Sequence, residues 1–128
     1  MPAAARTALV PPLAPVLAPV LAIILLASAA AAMGRAVALF ATNAGCRALL
    51  SDLSRLEDAA RDATVRARGV AGLEELRAAA GELGVRLLAC DAGLRAEAID
   101  PGALLGGVEV AGVPTFLAAV RGGQIVSL

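Results

Sequence analysis

Short apolar runs alternate along this chain with stretches whose apolar residues recur every three or four positions. Thr7 to Val10, Val37 to Ala41 (VALFA), Val85 to Ala89 (VRLLA), Val108 to Val110 and Gln124 to Leu128 are the runs. Their near-continuous aliphatic character predicts strands buried on both faces, as in a parallel sheet. Between them, Leu73, Leu76, Ala80 and Leu83 fall at helical spacing opposite Glu74, Glu75 and Arg77, with Gly84 as the stop. Cys46 to Leu56, with Leu49, Leu50, Leu53 and Leu56, predicts another helical segment. Glu57 to Arg68 alternates acids and Arg and predicts a solvated helix or a mobile excursion.

Punctuation supports the same alternation. Met33-Gly34-Arg35 reads as a helix C-terminus, with glycine in the position that favours a left-handed backbone and Arg near the negative end of the dipole. Cys90 to Leu94 turns from the third strand into a short helical stretch reaching Ile99. Asp100-Pro101-Gly102 supplies an N-cap and a proline for a brief helix through Leu105, and Gly112-Val113-Pro114-Thr115 opens a last helix through Val120. A βαβαβαβαβ order predicts one α/β domain over residues 1–128: a parallel sheet of about five strands with helices on both faces.

The N-terminal third carries one misfit. Residues 16–33 hold no charge, with Arg6 before and Arg35 after, and prolines stand at 11, 12, 15 and 19. The favoured expectation is that residues 1–33 give the first strand and a helix starting near Pro15 or Pro19. A signal peptide or a membrane anchor is the alternative. A helix with almost no polar face implies burial against another subunit or against lipid, and a second subunit is the milder explanation.

Composition narrows the chemistry. The chain has 128 residues, a formal net charge of zero, two cysteines and no Trp or Tyr, and Phe40 and Phe116 are its aromatics. All eleven of its basic residues are Arg. Without a basic patch or a stacking platform, nucleic acid is not an expected partner. No His occurs, so His-based triads, general bases and metal ligands are ruled out. Two cysteines cannot build a four-ligand zinc site, and Cys46 and Cys90 are too far apart for a C-x-x-C pair. Neither a phosphate-binding nor a dinucleotide-binding glycine motif is present, so neither a metal nor another cofactor is expected. Two separate free thiols suit a reducing compartment, and the cytoplasm is the expected location.

The cysteines remain as candidate chemistry. Sites in open parallel sheets gather beyond the carboxyl ends of strands, and both cysteines fall there. Cys90 ends the third strand and leads into a helix whose free N–H groups favour a thiolate, while Asp91 works against that charge. Cys46 lies in a loop and is the weaker candidate. Either could equally be a small buried hydrophobe.

Two segments, LASAAAAMGRAVALFATNAGCRALL (26–50) and GVRLLACDAGLRAEAIDPGALLGGVEVAGVPTFLAAV (84–120), resemble the DsrE/DsrF-like family. The marks are the small-residue helix ending AAMGRAVALF, the strand-end ACDAGL around Cys90, and Gly107-Val108-Glu109-Val110 before Gly112-Val113-Pro114-Thr115-Phe116-Leu117. The resemblance implies a five-stranded parallel sheet, homo-oligomers, sulfur donor and acceptor proteins as partners, and a strand-end cysteine that carries persulfide. Cys90 matches that cysteine. The first loop departs from the family, being proline and aliphatic from Val10 to Val20, where members carry a polar Asp- or Gly-containing loop. No peroxidase motif precedes either cysteine. A persulfide carrier, more a relay than a turnover enzyme, is the leading expectation. An oligomeric structural or regulatory module with inert cysteines, or a membrane-anchored version of the domain, stands beside it.

Overall fold

In the computed structural model, residues 6–10 and 17–127 are described. Five strands, β1 (Arg6–Val10), β2 (Ala36–Ala41), β3 (Arg86–Cys90), β4 (Glu109–Ala111) and β5 (Gln124–Ser127), form one sheet in the order β4-β3-β2-β1-β5. Every pairing is parallel, with Leu39 beside Leu9 on one side and Leu87 on the other. The expected α/β architecture is therefore present, with each strand within two residues of its predicted place.

Alternation along β2 and β3 divides the core in two. Val37, Leu39, Ala41, Leu87 and Ala89 face a large aliphatic cluster built with α1 (Leu17–Ala32), α3 (Leu73–Glu82) and Leu94 of α4 (Asp91–Ala96). Ala38, Phe40, Leu88 and Cys90 face the other way, against Phe116 of α5 (Val113–Ala119) and Val120. Helices cover both faces, but unequally, because among the described residues α5, with seven residues, is the helix that packs on the second face. Burial on both sides explains the unbroken apolar text of β2 and of Leu87 to Cys90 in β3, but the expectation of doubly buried strands fails at the sheet edges, where Glu109 and Val110 of β4 and Gln124 and Ile125 of β5 are exposed.

Helix α1 begins between the two expected prolines, with Pro19 in its first turn, where the lack of an N–H costs nothing. Pro11, Pro12 and Pro15, on which the reading of the first loop rests, lie outside the described residues. Leu17, Val20, Ile23, Ile24 and Ala27 are fully buried, each contributing about 1.5–3 kcal/mol for the larger side chains. Its end follows the predicted signal. Gly34 takes φ +87°, and the amides of Gly34 and Arg35 donate to the carbonyls of Ala31 and Ala30. That pair of bonds is the Schellman closure, and only the absence of a Cβ makes the conformation unstrained. Among the described residues no helix is long and apolar enough to cross a membrane.

Two expectations fail locally. Cys46 to Leu56 is not a helix: a 3₁₀ segment runs from Asn43 to Leu49, and the chain then pairs with the loop before β4. Leu50 bridges Leu104, the Ser51 amide donates to Ala103, and Leu105 donates to Leu49. Leu49, Leu50 and Leu56 are nevertheless buried and Leu53 partly so, so the spacing reported burial rather than helical geometry. The second failure is Arg77, placed on the polar face of α3 but only 3% exposed. It stands four residues after Leu73 and three before Ala80, on the core-facing stripe. Helix α2 (Arg61–Ala67) buries no residue, as its charge pattern requires, and Asp62 caps α3 by accepting from the Leu73 amide at 2.8 Å.

Candidate functional site

The carboxyl ends of β2 and β3 lie side by side, since Ala41 pairs with Ala89. The chain leaves β2 into the 3₁₀ segment that carries Cys46, and leaves β3 at Cys90 directly into α4. These two turns are packed backbone to backbone. A Cβ added to Gly93, in the first turn of α4, would stand 2.5 Å from the Asn43 amide nitrogen. Glycine at 93 is thus the condition for α4 to approach the Thr42–Asn43 loop so closely. The Arg47 guanidinium reinforces the contact by donating to Glu97 at 3.0 Å, a half-buried pair joining the 3₁₀ segment to the end of α4.

The structure brings both predicted cysteines to this edge but assigns them to opposite sides of the sheet. Cys46 belongs to the α1 and α3 cluster and is inaccessible; its thiol donates to the Ala41 carbonyl, sulfur to oxygen 3.4 Å. Burial pushes the Cys46 thiol up to about 11. The nearby Cys90 amide lowers it, the Cys90 thiol and Glu97 raise it, and Arg47 lowers it slightly. Cys46 is a neutral thiol held as a core group.

Cys90 occupies the α5 side, 7% exposed, among Phe40, Leu88, Phe116 and Val120. Phe116 stacks on Phe40 with ring centroids 4.6 Å apart and planes at 15°, and both rings share the buried cluster to which Cys90 belongs. Cys90 itself has an extended backbone (φ −67°, ψ 119°) at the N-cap position of α4. Asp91, the neighbour expected to oppose a thiolate, is bound by Arg95 at 2.7 Å one turn on, which offsets part of its charge. Neither cysteine is in a disulfide.

Arg77 is the residue whose part was hidden in the sequence. Its Nη1 donates to the carbonyls of Ala48 and Leu50, which close the Cys46 segment, while its Nε is buried without a partner. Burial lowers the Arg77 pKa, and Glu74 one turn earlier partly restores it. Helical spacing, read without regard to charge, was the signal that would have found it. Among the described residues no three His, Cys, Asp or Glu side chains stand close enough to share a metal ion. A cavity of about 440 Å³ lined by Leu17, Leu53, Asp62, Arg66 and Leu73 includes neither cysteine.

An all-parallel five-stranded α/β domain with a strand-end cysteine in a helix-start turn is the class that fold and site define. The pattern of the DsrE/DsrF-like family matches residues 22–126, and the chain belongs to that family. Solved structures share its fold. The ychN protein from E. coli aligns with a TM-score of 0.73 at 14% identity, covering 97% of this chain and 99% of that one. MTH1491 from Methanobacterium thermoautotrophicum, a protein of unknown function, aligns with a TM-score of 0.55 at 20% identity, covering 97% of this chain and 99% of that one. No curated protein matches the chain.

Proposed function

We propose that the protein is a sulfur carrier in which Cys90 accepts and passes on a persulfide sulfur. One observation carries the reading: Cys90 ends a central strand at the carboxyl edge of the sheet, inside the family match, at the position that the family resemblance assigns to the persulfide-carrying cysteine. In the proposed step the Cys90 thiolate attacks the outer sulfur of a donor persulfide, R–S–SH. The donor S–S bond breaks, R–S⁻ leaves, and Cys90–S–SH forms. The second transfer repeats the exchange, with the acceptor's thiolate as nucleophile and Cys90 as leaving thiolate. No net oxidation occurs, and no metal, cofactor or histidine is required.

The surroundings support this division of labour. Cys46, buried and hydrogen bonded, is given a structural role. Cys90 retains a small exposed fraction in the apolar cluster it shares with Phe116 and Phe40, which would shield a bound sulfane sulfur from water and stray thiols. The donor and acceptor are proteins in this reading, the chain associates with copies of itself, and the reducing cytoplasm keeps both thiols free.

The test is intact mass after incubation with glutathione persulfide. The wild type should gain one sulfur that dithiothreitol removes, and Cys90→Ser should gain none. A wild type that stays unmodified beside a thiol protein accepting sulfur in the same tube overturns the proposal and favours a structural module with inert cysteines.

A further inference from the structure

Helix α1 buries one face and leaves the other without a partner among the described residues. Ala18, Ala22, Leu25, Ala29 and Ala32 are all exposed, with Leu25 at 56%. Their spacing is four, three, four, three, the a/d repeat of a helix seam, and four of the five are alanine, which lets a second helix approach closely. Beside the C-terminal end of the stripe, Leu26, Ala29 and Met33 line a cavity of about 290 Å³ with Thr7 and Gln124. No residue from Leu17 to Ala32 is charged.

We propose that this stripe is the contact by which two copies of the chain pair, α1 against α1, antiparallel across a two-fold axis at Leu25. This rests on the self-association reading above and adds the surface and its geometry.

Charge placement selects the orientation. Glu57 is exposed at the start of α1, where its carbonyl accepts from the Leu17 amide at 3.0 Å, and Arg35 is exposed just past the helix end. An antiparallel pair sets Arg35 of each copy near Glu57 of the other and opposes the two helix dipoles; a parallel pair sets like charge against like at both ends. A two-fold axis also makes one stripe serve both copies.

Lipid is the competing occupant and fits worse. Helices that lie in a membrane surface carry a strongly charged, usually basic face beside the apolar one, and α1 has no charged face at all. A helix of 16 residues is about 24 Å long. Such a seam alone is smaller than a standard interface of about 800 Å² per partner, so a weak pair is expected unless neighbouring surface joins it.

The experiment compares wild type and Leu25→Glu by sedimentation over a concentration series reaching about a millimolar. The wild-type particle should have twice the mass of the Leu25→Glu particle, with unchanged circular dichroism, since Leu25 is solvent-facing in the single chain. As a second arm, Ala18→Cys and Ala32→Cys chains are mixed under mild oxidation. The antiparallel seam predicts the mixed 18–32 crosslink far above either self-crosslink.

A wild type that remains a single chain throughout overturns both the seam and self-association. An assembled wild type whose mass Leu25→Glu leaves unchanged, or dominant 18–18 crosslinks, overturns the seam and leaves self-association standing. Wild type that sediments with phosphatidylcholine and phosphatidylglycerol vesicles as a single chain, and loses this in Leu25→Glu, assigns the stripe to lipid and also overturns the seam.

Discussion

Replacing Gly93 by alanine sets two effects of opposite sign against each other. Glycine within a helix is worth up to about 1 kcal/mol less than alanine, so propensity alone predicts stabilisation. The Cβ, however, would lie 2.5 Å from the Asn43 nitrogen and 3.3 Å from the Asn43 Cα and the Thr42 carbonyl carbon. These are backbone atoms and cannot swing aside. The first turn of α4 and the 42–43 loop would have to separate by at least about half an ångström, in a region where overpacking costs roughly 1–3 kcal/mol. The net expectation is a loss of roughly 1–2 kcal/mol. Gly81 in α3 is the control, because nothing lies within 4 Å of its added Cβ and its backbone is helical. Gly81→Ala should gain up to about 1 kcal/mol. Urea denaturation of the two variants beside wild type reads both signs, with midpoints moving apart at a shared slope. Gly93→Ala that stabilises like Gly81→Ala would refute the close packing of the Cys90 and Cys46 turns.

The remaining predictions concern the same edge. Because the Cys46 thiol is raised from 9.0 to about 11, the unfolded chain releases its proton first as pH rises; stability is intact below about pH 9 and falls by roughly 2–3 kcal/mol by pH 11. The chain has no Lys, Tyr or His to titrate across that window, so Cys46→Ala should flatten that part of the profile in pH-dependent urea denaturation, and a profile unchanged by the substitution would contradict the buried neutral thiol. Arg77→Met removes the guanidinium bonds to Ala48 and Leu50 and should cost roughly 2–4 kcal/mol while speeding alkylation of Cys46; a neutral effect on both would show that the staple is idle. Phe116→Ala should cost about 3–5 kcal/mol and raise the alkylation rate of Cys90 relative to Cys46, because Phe116 packs over Cys90 and stacks on Phe40; an unchanged ratio of rates would remove Phe116 as its cover.

Local text carried most of the fold. VALFA and the LLA of VRLLA became the buried parts of interior strands because a doubly covered strand is apolar on both faces, and Gly34 ended α1 because its left-handed turn excludes a Cβ. What failed depended on distant partners. Nothing near Cys46 announces that Arg77, 31 residues on, will hold the carbonyls that keep its segment in a 3₁₀ form, or that Leu50 will bridge Leu104. Charge misled at Arg77, whose position on the helix was right for the core although its chemistry was not. The strand-end place of Cys90 was legible, but the side it faces was not, because side is fixed by sheet register. Its aromatic cover comes from Phe116, across the chain in α5. The all-round apolarity of α1 proved true of the sequence and half true of its burial, and the exposed half marks the surface assigned to a second copy.

Trypsin separates the two thiols, because Arg35 and Arg47 bound the peptide 36–47 around Cys46 while Arg86 and Arg95 bound the peptide 87–95 around Cys90. After brief exposure of the folded protein to glutathione persulfide and alkylation to preserve the adduct, peptide mass spectrometry locates it. The added sulfur is predicted on 87–95 and absent from 36–47. Sulfur on 36–47 with 87–95 unmodified, or on neither peptide, would contradict Cys90 as the carrier.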